Sequence, residues 1–244
     1  LAVHELSEKG INLKKMRKIL TPEQISIIEK EQAILQESWK KRQADGEIVE
    51  YLGKNFVVLP DVFPPSNDSK VLVQNLPELK NAIVLDVATG CGVLAIFAAL
   101  RGARHVTAVD INPSAVKCAQ LNATNHNVCD RVDVQLSDLF EQFVQSIRFD
   151  VITANLPFRK KYAPDIVASS QWDTDFALHR RFFSQASNFL NPRGRLYMPQ
   201  PNYPELYDTL NLAQSAGFKT KEIGKRQSSG NDPRDYYVFE MTLW

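Results

Sequence analysis

Cysteine is scarce in this sequence: Cys91, Cys118 and Cys129 are the only three in 244 residues, and no Cys-x-x-Cys pair occurs. An odd, unspaced set excludes a disulfide framework and a zinc ribbon, and it points to the reduced thiols of a cytoplasmic protein. His4, His105, His126 and His179 are scattered, so no metal is expected. No apolar run reaches the roughly 18 residues of a membrane span, so no membrane partner is expected. The first 20 residues are charged and interrupted, without the apolar stretch of a signal peptide. Net charge is also nearly absent, at +1, which leaves no whole-molecule field to draw in a nucleic acid.

What is present is apolar residue in quantity, 44% of the chain, enough for one α/β domain with an appendage. Residues 1–45 read as a polar helical appendage. Thr21-Pro22-Glu23-Gln24 is a helix start, with Thr21 as cap, Pro22 at the first helical position and Gln24 three residues on. Ile25, Ile28, Ala33, Leu35 and Trp39 mark an amphipathic helix that Asp45-Gly46 ends. Residues 46–80 read as a connector, with a short strand at 56–59, breaks at Pro60, Pro64 and Pro65, and a helix over 68–76. From 81 to 244 strands and helices alternate. Strands are predicted at 82–87, 105–110, 131–136, 149–154 and 195–198, with helices at 92–100, 113–126, 139–146 and 175–190. A helix at 205–216 then precedes strands at 218–223 and 236–243. These two are joined without a helix and so should pair antiparallel. The result is an α/β fold: a doubly wound, seven-stranded, mainly parallel sheet with an antiparallel terminal hairpin, preceded by N-terminal helices.

Each of the first four strands ends in residues suited to a nucleotide-like ligand. The first runs into Asp86-Val87-Ala88-Thr89-Gly90-Cys91-Gly92, a small-residue loop before a helix. Gly90 and Gly92 would let backbone approach a ligand closely, near a helix N-terminus. The third glycine of a dinucleotide site is missing. Asp86 would repel a pyrophosphate but suits a methionyl ammonium, which favours S-adenosylmethionine over a nicotinamide cofactor. The second strand ends at Asp110, 24 residues after Asp86, where an acid takes ribose hydroxyls; Ile111 would lie on the adenine. Asp110 could instead cap the next helix, but Asn112 is better placed to do so. After the third strand, Asp138 could accept from the adenine amino group and Leu139 make apolar contact; the bland alternative is that Ser137 or Asp138 caps a helix.

The fourth strand leads into Asn155-Leu156-Pro157-Phe158. A planar amide or aryl nitrogen is a weak nucleophile because its lone pair is delocalised. The Asn155 side-chain carbonyl and the Leu156 backbone carbonyl can each accept one of its N–H groups, which orients it and stabilises the charge that develops. Pro157 stiffens the turn, and Phe158 offers a flat face for stacking.

Together, Val84 to Ile96, Val109 to Ala115, Asp138-Leu139-Phe140 and Asn155 to Phe158 resemble the small-domain class of Rossmann-like methyltransferases. That class includes release-factor glutamine and ribosomal RNA guanine N-methyltransferases. The resemblance spans about residues 50–244. It implies methyl transfer from S-adenosylmethionine to a planar nitrogen of RNA or protein, and it assigns Val62-Phe63-Pro64-Pro65-Ser66 with Leu72 to a segment closing over the cofactor. Two departures stand out. Ala88 replaces a usual glycine, and Leu156 replaces a proline, giving a motif closer to the Asn-Leu-Pro-Tyr of ribosomal RNA adenine dimethyltransferases. The basic clusters Arg159-Lys160-Lys161, Arg180-Arg181 and Lys9 to Lys18 could meet phosphates or simply be solvated. Tyr162 and Trp172 could line a substrate pocket or pack, and His179 reads as a surface residue. The competing readings are a small-metabolite methyltransferase, an inactive binding module and a nicotinamide-dependent protein.

Overall fold

The computed structural model describes residues 19–227 and 232–244. The basic cluster at Lys9 to Lys18 and His4 lie outside the described residues. The first helix of the described residues is α1 (Pro22–Lys40). Its start is a reciprocal cap: Thr21 accepts from the Gln24 N–H, and the Gln24 side chain accepts from the Thr21 N–H at 2.9 Å. The helix stops at Lys40, before the expected Asp45-Gly46.

A hairpin follows, β1 (Glu47–Tyr51) and β2 (Lys54–Val58). Only the second strand was expected. The turn is Leu52-Gly53, with φ of 52° and 73°, the left-handed pair that matches strand twist. Leucine at its first position hides the turn from sequence reading. Helix α2 (Asn67–Asn75) then leads to the main sheet.

That sheet has strand order β5-β4-β3-β6-β7-β9-β8. Its members are β3 (Ile83–Val87), β4 (His105–Asp110), β5 (Val132–Leu136), β6 (Phe149–Ala154), β7 (Leu190–Pro201), β8 (Phe218–Gln227) and β9 (Asp235–Leu243). β5 to β7 in that order pair parallel, and β9 runs antiparallel to both β7 and β8, as expected for the terminal hairpin. Side chains alternate between two cores. Val106, Ala108, Tyr197 and Val238 face one, with α2, α3 (Val93–Leu100), α4 (Pro113–Asn125) and the β1–β2 hairpin. Leu85, Ile152, Leu196, Met198 and Phe239 face the other, with α5 (Ala177–Ala186) and α6 (Glu205–Ser215).

Three expectations need correction. No helix forms over 139–146. Leu139 takes φ 53°, and Phe140 turns inward onto Phe182 and Phe189, with centroids 5.7 and 4.8 Å away. Ser137 Oγ meets the Gln142 N–H at 3.3 Å, so a side chain replaces the helical ladder. β7 starts at Leu190, well before residue 195, because Asn191–Gly194 bulge out between the pairs Phe149–Leu190 and Val151–Arg195. α5 is shorter than expected, since Asp175 and Phe176 have φ of 56° and 60° and block helix there.

Asn122 ties the hairpin to the sheet. From α4, its Oδ1 accepts from Val57 N–H at 2.8 Å, and its Nδ2 donates to Val57 O at 2.7 Å and Cys91 O at 2.9 Å. An unpaired buried polar group costs about 1–3 kcal/mol. Asn122→Ala should therefore lower unfolding free energy by at least about 3 kcal/mol in urea titration; a loss under about 1 kcal/mol would show that water replaces these bonds.

Candidate active site

Val87 pairs with Val109 on one side and Ala154 on the other, so the carboxyl ends of β3, β4 and β6 lie together where strand order reverses. A cavity of about 610 Å³ opens there, within the usual range for a small-molecule site. Its wall includes Ala88, Gly90, Asp110, Ile111, Asp138, Leu139, Asn155, Leu156, Pro157 and Phe158. Asp86 and Gly92 stand behind it.

Asp86 is fully buried, and its two oxygens accept from Thr89 Oγ1 at 2.6 Å and Thr153 Oγ1 at 2.7 Å. The carboxylate anchors the loop to β6. Burial pushes its carboxyl up to about 6, against the two threonine donors. Gly92 also holds the frame of the loop. It has φ 85°, and a Cβ there would lie 3.0 Å from Ala119 Cβ, so its smallness serves helix packing. Gly90, at φ 57°, is less crowded: a Cβ there would meet only Phe63 O, at 3.9 Å. Ala88 holds φ 58°, which explains why glycine is usual at this position.

Asp110 Oδ2 accepts from Gly90 N–H and Oδ1 from Asn112 N–H, each at 2.9 Å. Asn112 is the cap of α4, as expected: its Oδ1 accepts from Ser114 N–H at 2.9 Å, and its Nδ2 donates to Asp61 O. Burial raises the Asp110 carboxyl above the usual range. Ile111 is 51% exposed on the cavity wall, an unusual place for a bare apolar side chain. Asp138 does not cap a helix; it pairs with Arg181 at 2.9 Å.

Asn155 follows β6 directly. Among the described residues its buried Oδ1 accepts no hydrogen bond. Leu156 and Pro157 are buried, and Phe158 packs against Leu20, Ile25, Ile28 and Tyr203. Asp68, Arg234 and Tyr236 also reach the wall, and sequence reading did not single them out for the site. Asp68 read only as a helix start.

α1 roofs the cavity. Ile28, Gln32, Leu35 and Trp39 line it, while Gln36 bonds Gln171 at 2.8 Å and Lys40 bonds Asp165 at 2.8 Å on the loop after Phe158. Trp172 is buried on the wall under Gln32, whereas Tyr162 is exposed and off it. Two of the three basic residues of this loop are already paired with glutamates. Arg159 binds Glu29 and Glu205, and Lys161 binds Glu29 at 2.9 Å. Arg181 meets Asp138 and Glu141, and Arg180 donates to the Asp175 carbonyl. His179 is not at the surface. It is fully buried, stacked on Phe176 at 4.0 Å and bonded to Asp173 at 2.9 Å.

The sequence model of the methyltransferase small domain matches residues 55–214. The chain belongs to this family. A relative from Methanocaldococcus jannaschii, provisionally named a protein N5-glutamine methyltransferase, is 33% identical over 188 residues, 73% of this chain and 91% of that protein. A tRNA1(Val) (adenine(37)-N6)-methyltransferase of Porphyromonas gingivalis is 32% identical over 124 residues, covering 48% of this chain and 49% of that one. Among solved structures, the T. thermophilus 16S rRNA N2 G1207 methyltransferase, in complex with AdoMet and guanosine, superposes with TM-score 0.61. It is 21% identical and covers 81% of this chain and 50% of that chain, a likeness of fold. The protein is a methyltransferase with a Rossmann-like sheet.

The buried Asp86 gives this methyltransferase a pH signature. Its folded value, about 6, lies above the ordinary 3.8, so the folded state binds its proton more tightly. Its contribution is intact below about pH 4 and falls by about 3 kcal/mol as pH rises through 6. Asp86→Asn should remove that fall, so urea unfolding at pH 4 and pH 7 should show the wild-type-minus-variant difference shifting by about 3 kcal/mol toward the variant. An unchanged difference would mean that Asp86 ionises freely.

Proposed function

We propose that this methyltransferase uses S-adenosylmethionine to methylate a planar amino or amide nitrogen of RNA or protein. The observation that carries the reading is the buried, unpaired Asn155 Oδ1 at the strand end beside the Gly90–Asp110 loop contact. An acceptor N–H would relieve it. S-Adenosylmethionine, when bound, supplies a methyl group on a sulfonium. Asp110 keeps further lone pairs on both oxygens for ribose hydroxyls. Ile111 and Leu139 would flank the adenine, with Asp138 at its amino group. Asp86 and Gly92 support the loop from behind, and Ala88 and Gly90 border the methionyl end. Asn155 Oδ1 and the Leu156 carbonyl would accept the acceptor's two N–H groups, fixing the nitrogen and stabilising the positive charge that grows on it. Phe158 would offer its ring.

Residues 63–69 on the wall support reading 46–80 as the segment that closes over the cofactor, between an appendage at 1–45 and a catalytic domain at 81–244. Within the acceptor classes, the pairing of Arg159 and Lys161 with glutamates supports a protein amide over a phosphate-flanked base. A cytoplasmic location belongs to the same reading.

Incubation with tritiated S-adenosylmethionine and separate RNA, protein and metabolite fractions tests it. Label should enter protein or RNA; label in metabolites alone would establish the small-molecule alternative, and none at all the inactive module. Asn155→Ala should reduce transfer at least about 100-fold, with cofactor affinity by calorimetry nearly unchanged. Full activity in that variant would remove the mechanism.

A further inference from the structure

We infer that Gln32, on the roof helix, is an acceptor-binding residue: its side-chain NH2 donates to the carbonyl oxygen of the carboxamide whose nitrogen receives the methyl group. The inference rests on the protein-amide reading above and supplies a contact which that reading lacks. Asn155 Oδ1 and the Leu156 carbonyl would take the two N–H groups of such an amide, and both atoms only accept. The amide's own oxygen enters the cavity with them. A carbonyl oxygen taken out of water without a donor is costly, so a site for a carboxamide needs one.

Gln32 lines the cavity yet is only 6% exposed. Its Oε1 accepts from Trp172 Nε1 at 3.4 Å. An indole N–H can only donate, so it fixes which end of the glutamine amide faces it. Trp172 is itself held. Its backbone N–H donates to Ala168 O at 2.9 Å, its backbone bridges to Arg159, and Lys161 Nζ lies 4.1 Å over its ring. The Gln32 NH2 is therefore the end left over, and among the described residues it donates to none. A buried amide whose oxygen is committed thus keeps two N–H groups on the wall of the chamber.

The course of α1 puts this donor at the acceptor's end of the cavity. Ile28, one turn earlier on the same face, packs in one cluster with Phe158, and Trp172 bridges to Arg159, the residue after Phe158. Trp39, two turns later, packs on Phe63 at 5.3 Å, and the Phe63 carbonyl is the atom facing Gly90. The helix thus runs from the Asn155–Phe158 motif toward the glycine loop, and Gln32 lies nearer the motif. A carboxamide held by Asn155 and Leu156 at its nitrogen and by Gln32 at its oxygen is fixed at both edges of its plane, which stops rotation about its bond to the rest of the acceptor.

Gln32→Glu isolates the contact. A carboxylate keeps one oxygen for Trp172 and replaces the NH2 with a second oxygen, which repels the acceptor carbonyl. The test is steady-state kinetics with tritiated S-adenosylmethionine, varying the concentration of the protein fraction labelled by wild type. Gln32→Glu should raise KM for that fraction at least about tenfold. Cofactor affinity by calorimetry and kcat at saturation should each change less than about threefold, the mark of a lost binding contact. Gln32→Met, of similar length without charge or donor, should also raise KM, so a folding defect from a buried charge cannot imitate the result. Trp172→Phe removes the indole N–H, frees the Gln32 amide to turn, and should raise KM by a smaller factor. An unchanged KM in either Gln32 variant, or a loss confined to kcat or to cofactor affinity, would overturn the inference and leave the methyl-transfer reading standing. Label in RNA or metabolites instead of protein would overturn it as well. No label in any fraction would remove the methyl-transfer reading itself, and the role of Gln32 with it.

Discussion

One carboxylate holds the site in register. Asp86 sits at the end of β3 and reaches forward to Thr89 in the loop and sideways to Thr153 in β6. Thr153 is two residues before Asn155. The loop that borders the cavity and the strand that leads into Asn155–Phe158 are thus joined through a single buried side chain. Burying that charge is costly, and the rise of its carboxyl to about 6 records the cost. The fold accepts it because backbone pairing alone fixes the height of neighbouring strands but not the course of the loops beyond them. Asp110 repeats the device on the other flank, holding Gly90 and Asn112 at once.

Much of this was legible in the sequence, for reasons that differ from element to element. β4 and β6 have the expected limits because each is a short, largely apolar and β-branched run that starts just after an arginine and ends at a polar loop residue. The start of α1 was legible because a reciprocal cap is written in residues three apart. What escaped was decided by tertiary contact. Phe140 finds an aromatic cluster and abandons a plausible helix. His179 looks like a surface residue beside Arg180, yet Asp173 and Phe176 take it inside. β1 escaped because its turn uses leucine where asparagine is the usual signal.

The site divides the same way. Residues at strand ends could be named from chain order, since the topology brings those ends together, and the wall of the cavity contains most of them. That two of them, Asp86 and Gly92, stand behind it was not legible there, because sequence gives position along a loop but not the direction a side chain takes. Asp68, Arg234 and Tyr236 come from segments far away in the chain, and nothing in their local pattern announces where they meet.

The roof is built unlike the walls. At its ends α1 is fastened by apolar contact, Leu20, Ile25 and Ile28 on Tyr203 and Trp39 on Phe63 at 5.3 Å. Between those contacts the buried amides of Gln36 and Gln171 bond each other, and the last residue of α1, Lys40, pairs with Asp165 in solvent. Water can substitute for the exposed Lys40–Asp165 pair at a loss of about 0–1 kcal/mol, whereas it cannot substitute for a packed ring. The Lys40–Asp165 end of the roof is therefore the part of the chamber's boundary that solvent can most readily replace. The alignment of the strand ends rests instead on the two packed cores, so the frame of the site and the fastening of its roof are made of different materials.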